Sequence, residues 1–313
     1  MHEIPVFDDA AVFAAVPATE AIARTREAFR RHRAGDWLMP SKVYLSSPPF
    51  GDFRAMPARG DGLAMLKWVS SFPGNPARGL PTVMGVVILS DAETSEPLAL
   101  LDARSVTALR TGAVAAVAAR ALAAPGAASC GIVGCGLHGA WAARCLVAEG
   151  YGPGVCHDPR SEVAEALAAE LGDGWRAGTL AEALAGDVVT CVTPGAEPVI
   201  DVGDLRPGMH LNMLGADGPG KAEATIDAVA ACELYCDEWA QASHGGELTG
   251  AVDAGLVSRE DVVDVGAVLA GEAPRPAGDR ATLFDSTGLA IQDLAIAAAV
   301  VGRARRARPG AAA

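Results

Sequence analysis

The run Cys130-Gly131-Ile132-Val133-Gly134-Cys135-Gly136-Leu137-His138-Gly139 constrains this chain more than any other feature. Four residues suited to a buried strand enter a glycine-spaced turn, and a helical pattern starts at Leu137. Spacing alone carries little weight in a chain with 36 glycines; the strand before it and the helix after it give it meaning. Gly134 permits the tight turn, Gly136 lets backbone approach a pyrophosphate, and Gly139 lets helix and strand pack closely. The helix N-terminus then offers unpaired N–H groups and the positive end of its dipole to phosphates. Leu137 and His138 fall inside the fingerprint and are counted with its cofactor-binding residues, the His138 side chain being read as structural. At the end of the next apolar run stands Asp158, 19 residues beyond Gly139. A carboxylate there accepts hydrogen bonds from ribose hydroxyls and repels a 2′-phosphate, which favours NAD and makes NADP the poorer fit. Arg160, two residues on, weakens that preference without reversing it.

The surrounding rhythm extends the reading. Strand-type runs at Cys130–Val133, Gly154–Asp158, Asp187–Val192 and His210–Met213 alternate with helical patterns at Leu137–Glu149 and Ser161–Leu171. That alternation predicts an α/β fold with a doubly wound parallel sheet of the Rossmann type. The first third differs. A helix over Thr19–Arg33 precedes short β-type runs at Lys42–Leu45, Phe53–Met56, Ala64–Val69, Val83–Leu89 and Leu98–Leu101. A small-residue helix from Ser105 to Ala123 is stopped by Pro125-Gly126, and a last helix, Leu289–Arg303, is expected to return to the first domain.

The length of 313 residues suits two domains. With 38 Asp and Glu against 25 Lys and Arg, the formal charge is −13. Such a surface repels phosphate backbones and anionic lipid, so neither nucleic acid nor membrane is expected as a partner. The start, Met1 to Asp9, has neither a basic nor an apolar leader region, and no apolar run is long enough to span a bilayer. Seven cysteines without a CxxC pair argue against a disulfide scaffold or zinc knuckle, so a reduced, cytoplasmic protein is expected. Cys232 and Cys236 read as one face of a core segment. The six histidines show no metal or triad spacing. Four arginines from Arg303 to Arg308 read as a solvated, frayed terminus.

Beyond the fingerprint, the chain resembles the ornithine cyclodeaminase/μ-crystallin family, and within it the archaeal-type alanine dehydrogenases. The resemblance rests on runs in family order: Met39-Pro40-Ser41-Lys42-Val43-Tyr44-Leu45, Gly51-Asp52-Phe53-Arg54-Ala55-Met56-Pro57-Ala58, Lys67-Trp68-Val69 and Phe72-Pro73-Gly74-Asn75-Pro76. Further runs are Gly79-Leu80-Pro81-Thr82-Val83-Met84, Thr107-Ala108-Leu109-Arg110-Thr111-Gly112-Ala113, Gly215-Ala216-Asp217-Gly218-Pro219-Gly220-Lys221 and Phe284-Asp285-Ser286-Thr287-Gly288-Leu289-Ala290. It implies a homodimer. Each subunit would have an α+β substrate-binding and dimerisation domain at residues 1–121, completed by 289–313, with an NAD-binding Rossmann domain inserted at 122–288.

The resemblance also implies oxidation at the Cα–N bond of an amino acid, or the reverse reduction of an imine. Arg54, Lys67 and Arg110 match family positions that contact the substrate carboxylate or carbonyl. A carboxylate needs a fixed positive clamp, and Lys67 lies in an apolar run where a purely solvated role makes little sense. Asp217, in a Gly-rich loop after a predicted strand, matches the acid that handles protons on the amine and on the water adding to the imine. Thr111 would donate to cofactor phosphates, Thr193 would cover the cofactor, and Ser286, Thr287 and Gly288 would line the nicotinamide pocket. The leading expectation is reversible oxidation of alanine to pyruvate and ammonia. An ornithine or lysine cyclodeaminase is the first rival, but Arg54 stands where those enzymes carry Glu. A ketimine reductase and a non-catalytic μ-crystallin-like binding protein are the others.

Overall fold

The computed structural model describes residues 3–195, 197–218 and 220–307. It divides into two compact units, Met1–Arg110 with Leu289–Ala313, and Thr111–Gly288. The division falls midway along a long helix, 11 residues before the 121/122 boundary that the family resemblance implies. The second half of that helix packs with the second unit.

The first unit begins with β1 (Val6–Phe7), α1 (Asp9–Ala15) and α2 (Ala18–Arg33). Then come β2 (Val43–Ser47), β3 (Gly51–Gly60), β4 (Leu63–Ser71), β5 (Val83–Asp91) and β6 (Pro97–Asp102). They form a six-stranded sheet in the order β1-β6-β5-β4-β3-β2, antiparallel except for β1 beside β6. The strands β3 and β4 run well beyond the short segments expected from sequence, because alternation continues through polar positions. In β3 the residues Arg54, Met56 and Ala58 are buried, and in β4 Met65, Lys67 and Val69. Period two thus puts two cations on the covered face of the sheet. The helix α3 (Ala103–Leu122) straddles the division of the chain.

The second unit contains β7 (Cys130–Val133), α4 (Leu137–Ala148), β8 (Gly154–His157), α5 (Ser161–Leu171), β9 (Arg176–Ala177), α6 (Leu180–Leu184), β10 (Val188–Cys191) and β11 (His210–Met213). It continues with α7 (Ile226–Ala231), β12 (Glu233–Cys236), α8 (Trp239–Gly245), α9 (Thr249–Asp253), β13 (Val262–Asp264), α10 (Val265–Leu269) and β14 (Thr282–Asp285). The eight strands pair in parallel in the order β13-β12-β14-β11-β10-β7-β8-β9. Chain order reverses between β7 and β10, and that switch point is where open α/β sheets leave a crevice beyond the strand ends. Four strands, β9, β12, β13 and β14, went unread in the sequence. Cys232 and Cys236 flank and end β12, four apart on one buried face of a strand.

The last helix, α11 (Ala290–Ala307), belongs to the first unit and packs on α2, β3 and β4. It continues past Arg303, where the sequence suggested fraying, and Arg303 donates to the Ala15 carbonyl at 3.2 Å. The rest of the expected frayed tail, from Arg308 on, lies outside the described residues, as do His2 and Pro219. All seven cysteines are buried thiols. Among the described residues, no helix is long and apolar enough to cross a membrane, and no cluster of His, Cys, Asp or Glu could hold a metal ion.

Candidate active site

In the first unit the sheet and two helices bring Lys67, Arg110 and an unanticipated acid together. Lys67 on β4 is 1% exposed, and its Nζ lies 2.7 Å from Oδ2 of Asp293, a wholly buried residue on α11. Arg110 Nε, on α3, lies 3.6 Å from the other Asp293 oxygen, and no hydrogen bond satisfies it. Lys67 Nζ also donates to the Thr107 hydroxyl at 3.4 Å. Burial pushes the Lys67 ammonium down to about 8; the Asp293 carboxylate opposes the fall, while Arg110 and Lys42 add to it. Lys67 and Arg110 against Asp293 leave an excess of one positive charge, which a single carboxylate would neutralise. Asp293 left a signal in the sequence. It is the one acid in the apolar stretch Leu289–Val301, on a helix face that has to be buried.

Arg54 projects from the same face of the sheet as Lys67, because its cross-strand partner Val69 lies two residues from Lys67 on β4. Its Nε donates to Asp52 at 2.7 Å, and its guanidinium lies over the Tyr44 ring at 5.4 Å. This clamp and the Asp52 oxygens fix the guanidinium plane.

In the second unit the fingerprint has the expected geometry. Gly134 adopts φ +91°, and a Cβ there would lie 2.5 Å from the Val192 carbonyl. A Cβ on Gly139 would fall 1.9 Å from the Gly134 carbonyl, so β7 and α4 could not approach as they do. Gly136, the N-cap of α4, places no side chain over the helix end, and a Cβ there would meet nothing within 4 Å. Thr111 lies on α3. A Cβ on neighbouring Gly112 would lie 2.5 Å from the Trp141 backbone, so α3 runs directly against α4. The Thr111 hydroxyl is buried and has no hydrogen-bond partner. An orphaned buried donor beside an open helix N-terminus fits the phosphates of a dinucleotide.

Asp158 follows β8 and accepts from the Cys135 N–H at 3.0 Å and from the Arg160 N–H and Nε at 3.0 and 3.1 Å. Burial acts to raise its carboxyl, but the Arg160 and Cys135 hydrogen bonds outweigh it and hold the group below its ordinary value. Asp158 therefore pins the fingerprint turn, at the strand end where the sequence leads one to expect a ribose contact. Arg160 is its partner and does not displace it.

Asp217 lies in the loop after β11 and pairs with Lys221 at 2.6 Å. Thr193, after β10, donates through its N–H and hydroxyl to Glu223. Ser286, Thr287 and the Gly288 N–H all donate to buried Asp237, at 3.3, 3.1 and 2.8 Å. Ser286, Thr287 and Gly288 are expected to line the nicotinamide pocket; the two hydroxyls and the N–H are directed at Asp237, which ties the end of β14 to the end of β12. Nothing in the spacing of Glu223 or Asp237 marks them, since each is paired through a turn distant in sequence.

Comparison with known proteins agrees with this geometry. The model of the ornithine cyclodeaminase/mu-crystallin family matches residues 8–308. Alanine dehydrogenase of Archaeoglobus fulgidus is 39% identical over 287 residues, covering 90% of this chain and 89% of that protein. Iminosuccinate reductase of Paracoccus denitrificans is 33% identical over 248 residues, 77% of each chain. Among solved structures, an archaeal alanine dehydrogenase dimer with bound NAD superposes with a TM-score of 0.93 at 38% identity, over 97% of both chains. The fold, the fingerprint and these likenesses converge: the chain belongs to the ornithine cyclodeaminase/mu-crystallin family.

Proposed function

We propose that the chain is an NAD-dependent oxidoreductase acting on the Cα–N bond of a small L-amino acid, with alanine, water and NAD giving pyruvate, ammonium, NADH and a proton, reversibly. The observation that carries the reading is the buried Lys67–Arg110–Asp293 cluster, whose excess of one positive charge suits one carboxylate. Gly134, Gly136, Leu137, His138, Gly139 and Thr111 would hold the pyrophosphate, and Asp158 the adenosine ribose. When bound, NAD supplies the hydride acceptor. Arg54, Lys67 and Arg110 hold the substrate carboxylate, the arginines as forks and Lys67 as a point charge. Lys67 also holds a proton near neutral pH, its ammonium having been pushed down to about 8 by burial. The substrate ammonium first gives up a proton; loss of hydride from Cα of the free amine then leaves an iminium, and Asp217 takes a proton from the water that adds to it. Asp217 returns that proton to the nitrogen, and the adduct collapses to the carbonyl and ammonia, which takes up the hydroxyl proton as ammonium.

The archaeal relative of known structure is a dimer, and this chain has a surface for one. On edge strand β2, Val43 is 62% and Leu45 58% exposed, an apolar edge that a second copy would cover. A second reading has one observation in its favour. Asp52, beside Arg54, supplies an acid that a distal ammonium could meet, as cyclisation of ornithine or lysine requires. Its 2.7 Å pairing with Arg54 makes it the weaker reading.

The test is turnover of purified protein with NAD and a panel of L-amino acids, followed by NADH absorbance and product analysis, and the reverse with 2-oxo acids and ammonium. Pyruvate from alanine is the expected outcome. Proline or pipecolate from the diamino acids would establish the cyclodeaminase. Intact NADH binding without turnover in either direction would overturn the enzyme reading in favour of a binding protein.

A further inference from the structure

The turns after β10 and β11 face a common difficulty. Where a sheet ends, the N–H groups just past the strands lose their ladder partners, and a buried donor left unpaired costs about 1–3 kcal/mol. Here one side chain takes both. Glu223, wholly buried, accepts from the Thr193 N–H at 2.6 Å and the Thr193 hydroxyl at 2.9 Å on one oxygen, and from the Gly215 N–H at 2.7 Å on the other. Only an ionised carboxylate presents acceptors on both oxygens and no donor. The approach is close enough to require glycine at 215, where a Cβ would lie 2.2 Å from the Thr193 carbonyl and 2.5 Å from Glu223 Oε1.

Glu223 is itself anchored. Its N–H donates to buried Glu247, at 2.9 and 3.0 Å to the two oxygens, and the Ala224 N–H joins in. Its carbonyl accepts from the N–H groups of Val199 and Ile200. On the other side, the turn it holds abuts the fingerprint, since a Cβ on Gly134 would strike the Val192 carbonyl. The turns after β7, β10 and β11 are thus one connected set, at the switch point of the sheet.

We propose that Glu223 is a positioning residue: its buried carboxylate sets the spacing between the turn carrying Thr193 and the loop carrying Asp217, and so the placement of the nicotinamide end of the cofactor and of the proton-handling acid. This rests on the dinucleotide-binding reading above, and not on alanine as the substrate. Donors on both oxygens favour the ionised form, while burial pushes Glu223 up to about 7 against the hydrogen bonds from Thr193 and Gly215. The ionisable groups facing it are Glu247, pushed up to about 7 by burial and by Glu223, and the Cys191 thiol on β10, with Asp285 behind Glu247. None is a cation, so acidification protonates the pair and loosens both turns.

The experiment compares wild type, Glu223→Gln and Thr193→Val in the full chain. Three quantities are read: NADH Kd by fluorescence from pH 6 to 9, amide hydrogen exchange at Thr193 and Gly215, and kcat. Wild type is expected to bind NADH more weakly as pH falls through about 7. In Glu223→Gln the amide nitrogen opposes one donor turn, so exchange there should rise about tenfold, kcat should fall at least as much, and the acid weakening should flatten. Thr193→Val removes one bond that favours ionised Glu223, so its acid weakening should move to higher pH. Should Glu223→Gln fail to fold, this variant decides. A folded Glu223→Gln with wild-type kcat, Kd and pH dependence, or an unmoved acid limb in Thr193→Val, overturns the proposal. Failure of the alanine reading looks different: wild type would bind NADH with the expected pH dependence and turn over no amino acid.

Discussion

Replacing Asp293 with Asn should be costly in a way that depends on pH. Asp293 and Lys67 are 0% and 1% exposed with 2.7 Å between the charged atoms, and Arg110 adds a second cation 3.6 Å away. Removing one partner of such a buried pair leaves an uncompensated charge and costs about 3–5 kcal/mol. The sign with pH follows from Lys67. Its pKa is about 8 folded against 10.5 when unperturbed, so between those values the unfolded chain binds the extra proton and stability rises with pH. Without Asp293, which opposes the fall, the folded value drops further, and Lys67 sheds its proton at lower pH. The Asp293→Asn loss should therefore be full at pH 6 and smaller at pH 9, as measured by urea unfolding. The double variant Lys67→Met, Asp293→Leu should recover most of the stability, since apolar groups of similar volume replace the pair, while turnover stays lost. A loss below about 1 kcal/mol at pH 6, in the range of an exposed pair, would refute the reasoning. So would an equal loss at both pH values.

Asp217→Asn should lower kcat about a hundredfold or more while leaving NADH Kd within about threefold; near-wild-type turnover would remove Asp217 from proton transfer. Asp158→Ser should shift the ratio of NAD to NADP affinity toward NADP by about tenfold, and an unchanged ratio in binding titrations would take Asp158 away from the ribose. Burial also holds the His210 imidazole down to about 4, between Asn212 and Thr282 in the middle of the sheet. It must stay neutral when folded, so stability should fall by up to about 3 kcal/mol as pH drops from 6.5 toward 4. His210→Gln should flatten that dependence; an equally steep loss in the variant would assign it to other groups.

Sequence was most informative where function is local. The fingerprint and Asp158 announce themselves through spacing and Lys67 through a charge set in an apolar run, while Arg54 and Arg110 are reached through the family resemblance. The strands β7, β8, β10 and β11 were legible because each is a compact apolar block. By contrast β14 sits behind the Gly- and Pro-rich stretch that precedes it, and enters the sheet between β11 and β12, out of chain order. No local pattern encodes such an insertion. The partners of the site residues were hidden for the same reason. Asp293 meets Lys67 across 226 positions of chain and Glu223 meets Thr193 across 30, so each contact exists only once the topology is known. The hydroxyls of Ser286 and Thr287 show the converse: a motif locates the segment, and Asp237, distant in sequence, sets where its protons point.

The double duty of Asp158 bears on how such a protein could change its cofactor over evolutionary time. The side chain that would have to lose its charge to admit a 2′-phosphate is also the one fastening the Cys135 N–H, so most replacements weaken the phosphate turn while relaxing discrimination. Asn is the narrow passage, since it keeps an acceptor for that N–H and sheds the charge. The same step would release Arg160 from its carboxylate partner, setting a guanidinium two residues away in reach of the incoming phosphate. A lineage of this chain is thus one substitution from a changed preference, and Asn is the replacement that best keeps the turn fastened.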